Sequence, residues 1–257
     1  MFTKIHRMQV KFNTSGQTYT IQLNQPIDLS IPLQNGNQNP NAFHIPYPVF
    51  EPIRVGDFVG SVAAGSSANC ENLFLNPHGN GTHTECIGHI TKERITINQT
   101  LKDFHFLAQL ISLPLSTDAN GKNWVSVPNI EASLQAGIEA LIIRTLPNTA
   151  EKLNANYSGN FPAYLDPELC KTLAAKGIKH LLLDLPSVDP ESDNGLMLAH
   201  KAFWNYPENP RFDATISEMI YAPTEISDGL YLLNLQIAAI ESDASPSKPV
   251  LYKLISA

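Results

Sequence analysis

The chain has 257 residues, 43% of them hydrophobic and 16% charged, with a formal net charge of -7. This is the balance of a soluble globular protein large enough to fold without staples, and it excludes long disordered tracts. The acidic balance and the lack of any Lys/Arg run exclude a surface for polyanions, so no nucleic-acid partner is expected.

The N-terminal stretch MFTKIHRMQVKFNTSGQ has no apolar core of the secretory type, and no run of 18 apolar residues occurs. The reading is therefore a cytoplasmic protein with no membrane span. QTYTIQL (17–23) alternates polar and apolar residues and predicts a strand. IDLSIPL (27–33) is a second strand or the entry to a loop. QNGNQNPNAFHIPYP (34–48) is rich in Asn, Gly and Pro, which makes it a long loop, and its aromatic residues make it a candidate pocket wall. EALIIRT (139–145) and KHLLLDL (179–185) are apolar runs of strand length. Between them, DPELCKTLAAKG (166–177) predicts a helix capped by Asp166, with Pro167 in its first turn and Gly177 ending it in a left-handed conformation. GLYLLNLQIAAI (229–240) and PVLYKLIS (249–256) close the chain as strands. Nineteen prolines make long helices scarce. The three cysteines, Cys70, Cys86 and Cys170, have no CxxC spacing, so a reduced compartment is expected. The sum is one mixed α/β domain over residues 1–257, strand-rich with few helices.

NPHGNGTHTECIGHI (76–90) holds three of the chain's eight histidines. In an extended strand, residues two apart share a face and lie about 7 Å apart, so His83 and Glu85 can reach one ion. A helix would splay them, and Gly79, Gly81 and Gly88 disfavour a helix through this stretch. His89, six residues after His83, would lie about 20 Å away on a straight strand. Either the chain bends near Gly88 or His89 has another task, and a bend would suit a proton carrier. Imidazole with carboxylate is the donor set of a divalent metal, zinc first and manganese second. Two other readings stay open. A His-rich glycine loop can be a polar surface turn. His83, Cys86 and His89 could form a structural zinc site, but it lacks a fourth nearby ligand.

His78-Gly-Asn-Gly81-Thr82-His83-Thr-Glu85-Cys-Ile87-Gly-His89 resembles HxGTHxDxPxH, the signature of the metal-dependent cyclase and kynurenine formamidase family. The likeness runs from about residue 26 to the C-terminus. It takes in IDLSIPL, EALIIRT, the stretch FPAYLDPELCKTLAAKGIKHLLLDLPSVDP, His200 in LAHKAFW and Glu218 in ISEMIYA. The resemblance implies a swivelling β/β/α fold. It implies one ion held by His78, His83 and Glu85, and a second held by Glu85 as a bridge with His200 and Glu218. His89 would be the proton donor and acceptor.

Three departures stand out. His78 lies five residues before His83 where the family has four, so one extra residue must be absorbed near Asn80. Glu85 replaces the usual aspartate, which admits a single-ion site. Ile87 replaces the usual proline. NYPENPRFD (205–213) reads as an inserted loop before Glu218.

The activity implied is hydrolysis of an amide, in an N-formyl arylamine or a cyclic amide, with metal-bound hydroxide as nucleophile. Cyclase or dehydratase chemistry on the same site is the alternative, as is a non-catalytic small-molecule-binding protein with a degenerate metal site. The family likeness also favours a homo-oligomer. Phe43, His44 and Tyr47 are candidate substrate contacts in the long loop. His6, His105 and His180 stand alone and read as ordinary surface or core histidines. Asp184, Ser187 and Asp189 read as a tight turn with side-chain to backbone bonds. Cys86 reads as a packed thiol, and Glu191 and Asp193 as solvated.

Overall fold

An apolar run without alternation must be covered on both faces once it becomes a strand. Ala140–Leu146 and His180–Leu183 meet that condition: every residue but Leu146 is buried. The computed structural model describes residues 8–14, 16–119, 121–126 and 130–256. Its main sheet comprises β1 (Ile27–Asp28), β2 (His83–Cys86), β3 (His105–Pro114), β4 (Ala140–Leu146), β5 (His180–Leu183), β6 (Thr215–Glu218), β7 (Gly229–Ile237) and β8 (Ala244–Lys253). The order is β7-β3-β4-β5-β6-β2-β8-β1, and β7 also pairs with β8. Seven strands thus close into a barrel-like ring, with β1 added at the edge of β8. Strands β3 to β6 run parallel to their neighbours in that order, and the other pairings in the ring are antiparallel. The architecture is the strand-rich mixed α/β sheet expected from the sequence.

Period-two alternation sorts the side chains into two cores. Ala140, Ile142 and Leu182 face inward with Leu110, Leu233 and Leu251. Leu141, Ile143, Leu181 and Leu183 face outward beneath helix α1 (Pro167–Ala175) and helix α2 (Leu198–Trp204), against Leu169, Leu173, Phe203 and Trp204. Helix α1 begins as its sequence predicts. The Asp166 carboxylate accepts from Glu168 N at 2.9 Å, and Pro167 fills the first position, where no donor is needed. Gly177 follows its end at φ +82°.

IDLSIPL yields only the short β1 and then loop. Residues 34–48 are irregular apart from a bridge between Asn41 and Asn156. NYPENPRFD forms the loop between α2 and β6. The three cysteines are free, and Cys86 is buried in the inner core. No helix among the described residues is long and apolar enough to cross a membrane.

His180 is a satisfied core histidine. Its Nδ1 lies 2.9 Å from Thr215 Oγ1, and its ring packs on Phe106. Burial, then the neighbouring Lys179 charge, pushes its pKa down from 6.5 to about 3. The unfolded chain therefore takes up this proton first. Stability from neutral His180 is complete above about pH 6.5 and drains away as pH falls toward 3. Between pH 7 and pH 5 the loss is about 2 kcal/mol. Denaturant titrations at the two pH values should show the deficit of His180→Gln against wild type narrowing by about that amount at pH 5. A constant deficit would contradict a neutral buried imidazole.

Candidate metal centre

The site is assembled on the outer face of the ring, on the side of the sheet covered by the helices. Strand β2 places His83 and Glu85 on one face. Thr84 turns to the other, where its hydroxyl lies 2.7 Å from Ser217 Oγ. Antiparallel pairing sets Glu218 of β6 opposite His83. Helix α2 delivers His200 above them. All four side chains are essentially buried.

His78 arrives by a route that differs from the expectation. The glycines disfavour a helix here, yet Pro77–Asn80 form one helical turn. Asn76 overrides the weak local propensity by accepting from His78 N at 2.9 Å, with Pro77 at the first position. That turn absorbs the extra residue before His83 and sets His78 Nδ1 3.1 Å from Glu85 Oε2. The chain also bends at Gly88, in the short 3-10 turn Ile87–His89. His89 Nε2 comes to 3.9 Å from the same Glu85 oxygen, and its ring stacks on His78 with centroids 4.4 Å apart.

Hydrogen bonds fix which imidazole nitrogens are free. His83 Nδ1 bonds to Gly81 O at 2.9 Å, which makes it the donor and leaves Nε2 as a bare acceptor. That Nε2 has no hydrogen-bond partner among the described residues, although Glu218 Oε2 stands 3.4 Å away. His200 Nδ1 bonds to Asp189 Oδ2 at 2.6 Å, and its Nε2 faces Glu85 Oε1 at 3.0 Å and Glu218 Oε1 at 4.0 Å. Glu218 Oε1 also accepts from Val188 N at 2.9 Å. Glu85 Oε2 has no aligned hydrogen bond despite its imidazole neighbours.

Buried acceptors that face one another without a proton between them mark a place for a cation. Among the described residues three sets of donor atoms lie within 4.8 Å of one another, and two of them share Glu85: His78 with His83 and Glu85, and Glu85 with His89 and His200. The charges agree. Burial opposes ionisation of Glu85, but His89, then His200 and His78, hold its carboxyl well below the usual carboxylate range. Burial also opposes protonation of His78 and His200. Asp243 and Glu85 overcome it for His78, Asp189 and Glu85 for His200, and both rise to about 10. Protons on His78 and His200 thus balance the carboxylates where a divalent cation would do so. The residues fit zinc or manganese by donor type.

A cavity of about 220 Å³ opens onto the cluster, walled on its far side by Phe43, Ser187, Pro190, Glu191, Asp193 and Met197. Among the described residues, no Lys or Arg lines it. Of the loop candidates, Phe43 reaches the cavity. His44 is exposed beside it, 3.7 Å from Glu191 Oε1, and Tyr47 is not among the lining residues. His105 bonds to Asn234 at the surface, and His6 lies outside the described residues. Glu191 and Asp193 are half-buried and bound to backbone amides of Gly159 and of Gly195 and Met197, so they are part of the wall where solvated side chains were expected.

Two functional contacts escaped the sequence reading. Asp189 is more than a turn residue: it accepts from Ala199 N, His200 N and His200 Nδ1, which both starts α2 and aims His200. Ser187 does bond within the turn, to Asp189 N. Asp184 stands apart, paired with Lys152 at 2.7 Å and bonded by Thr145. Asp243 bonds both His78 and His89, and nothing local in SDASPS announces it; only the β2–β8 pairing brings it there.

The family model described as "Putative cyclase" matches residues 27–190. A kynurenine formamidase of Bacillus cereus is 26% identical over 235 residues, covering 88% of this chain and 96% of that protein. Among solved structures, a potential metal-dependent hydrolase with cyclase activity superposes with a TM-score of 0.64 at 16% identity, covering 89% of this chain and 97% of that one. Isatin hydrolase A from Labrenzia aggregata gives a TM-score of 0.62 at 12% identity, covering 91% and 94%.

Proposed function

This chain belongs to the cyclase family, and on that premise we propose that it is a metal-dependent amidohydrolase acting on an N-formyl arylamine or a cyclic amide. The observation that carries the reading is the bare His83 Nε2, buried and without a hydrogen-bond partner among the described residues, 3.4 Å from Glu218 Oε2 and grouped with Glu85 and His78 within 4.8 Å. One ion would be held by His78, His83 and Glu85, and a second by Glu85, His200 and Glu218. A divalent cation held there supplies a Lewis acid that acidifies water and polarises a carbonyl.

The protein's own groups do the rest. Gly81 O and Asp189 lock His83 and His200 in the tautomer that presents Nε2 to the cluster. His89, about a quarter exposed on the cavity wall, keeps its Nε2 free to take a proton and return it to the leaving nitrogen. Phe43, Pro190 and Met197 offer an apolar surface to the body of the substrate. The kynurenine formamidase and isatin hydrolase names of the relatives agree with such a substrate class.

The test is to strip the protein with chelator, reload it with zinc or manganese, and assay a panel of aryl formamides, cyclic imides and lactams. Turnover dependent on metal is expected. Metal uptake with no turnover of any amide would overturn the hydrolase reading. His89→Gln should keep its metal and lose roughly 10²- to 10⁴-fold in kcat; loss of metal instead would make His89 a ligand. A single domain, a cytoplasmic location and homo-oligomeric assembly belong to the same reading, and light scattering reads the last.

A further inference from the structure

We infer that Asp243 is a positioning residue that sets the tautomers of His78 and His89 together, tying the metal ligand to the proton carrier through one carboxylate oxygen. The inference rests on the proposed reading of the site. Asp243 Oδ2 lies 3.0 Å from His78 Nε2 and 3.2 Å from His89 Nδ1, both within aligned hydrogen bonds. A carboxylate accepts, so each ring nitrogen facing it is the donor. Each ring's other nitrogen is then the one turned to the cluster, where a cation would take the place of the second proton that His78 carries without one. His78 Nδ1 and His89 Nε2 converge on the same atom, Glu85 Oε2, at 3.1 and 3.9 Å.

The rings stack at a 28° interplanar angle with centroids 4.4 Å apart, which brings a nitrogen of each within reach of the one acceptor oxygen. Asp243 is itself held. Its backbone O accepts from Cys86 N at 3.0 Å, next to Glu85 on β2, and its Oδ1 accepts from Ser242 Oγ at 3.1 Å. A free neutral imidazole in water prefers the proton on Nε2. His89 needs the opposite tautomer to face the cluster with a lone pair, and Asp243 selects it.

His78, His89 and Asp243 are also close enough to hold an ion themselves. The aligned geometry of the two contacts to Asp243 favours hydrogen bonds, in contrast to the misaligned approach of His78 Nδ1 to Glu85.

The experiment uses the full chain with ¹⁵N-labelled histidine, zinc-loaded and metal-free, comparing wild type with Asp243→Ala and Asp243→Asn. Long-range ¹H–¹⁵N spectra read the tautomers, and competition with a chelator reads zinc affinity. Wild-type His89 should carry its proton on Nδ1. In Asp243→Ala that proton should move to Nε2, and zinc affinity should fall by roughly 10- to 100-fold at unchanged stoichiometry. Asp243→Asn keeps the shape and one acceptor oxygen, so it should lie between the two, and it carries the test if the alanine variant does not fold. Unchanged tautomers and affinity in a folded variant would overturn the inference. Loss of one bound ion would also overturn it, because Asp243 would then be a ligand. A wild type that binds zinc but hydrolyses no amide fails the proposed activity alone. A wild type that binds no zinc fails the metal reading, and the His89 tautomer in the metal-free protein still decides the role of Asp243.

Discussion

Glu85→Gln is expected to bind less than about a tenth of the wild type's metal and to lose about 10³-fold or more in amide turnover, the rate equivalent of about 4 kcal/mol. Glu85 is fully buried and common to both groups of donors. One oxygen faces His200 Nε2, and the other faces His78 Nδ1. Glutamine has the same shape, so the strand and its pairing survive. The change removes the charge and puts an amide N–H₂ where one imidazole lone pair must point. Both proposed ions would lose a ligand at once, whereas His200→Ala should empty only the position that Glu85, His200 and Glu218 would form. Metal analysis separates the two variants. Equal losses would argue for a single ion, which the longer reach of glutamate over the family's aspartate permits. Full metal retention in Glu85→Gln would remove Glu85 from the ligand set.

Gly88→Ala is expected to cost about 2–4 kcal/mol, lowering the melting temperature by roughly 5–10 °C in a chain of this size. A methyl group on Gly88 would sit 2.0 Å from Ile95 O and 2.9 Å from Ile95 C. These are backbone atoms, and the segment is anchored. Cys86 Sγ contacts Ile95 O at 3.6 Å, and Ile97 N bonds to Ser242 O at 2.8 Å. Relief must come from the Ile87–His89 turn, which carries His89 away from Glu85. Activity should therefore fall further than metal content does. Melting curves and turnover that match wild type would show that the turn has room the geometry denies it.

Much of the fold is legible because it rests on local chemistry. Continuous apolar runs can persist only as doubly covered strands, which identifies β4 and β5. Asp166, Pro167 and Gly177 mark both ends of α1. Closure of the ring is not legible, because it depends on the register between β7 and β8 and on β2 lying between β6 and β8. The pairing of His83 with Glu85 follows from strand periodicity alone. His200 and Glu218 could be nominated only through the family resemblance, since no local pattern ties them to residue 85. Asp243 and Asp189 act through other side chains, so their neighbours in sequence carry no trace of the task. The one-turn helix at His78 was hidden because an Asn cap and a proline outweighed the glycine that argued against it.

The most direct measurement is anomalous diffraction at the zinc edge from crystals of the zinc-loaded protein. Density should appear within reach of His78, His83 Nε2 and Glu85, with a second peak between Glu85, His200 and Glu218 if two ions bind. Crystals that hold zinc elsewhere, or show those imidazoles and carboxylates bonded only to one another and to water after zinc loading, would contradict the account.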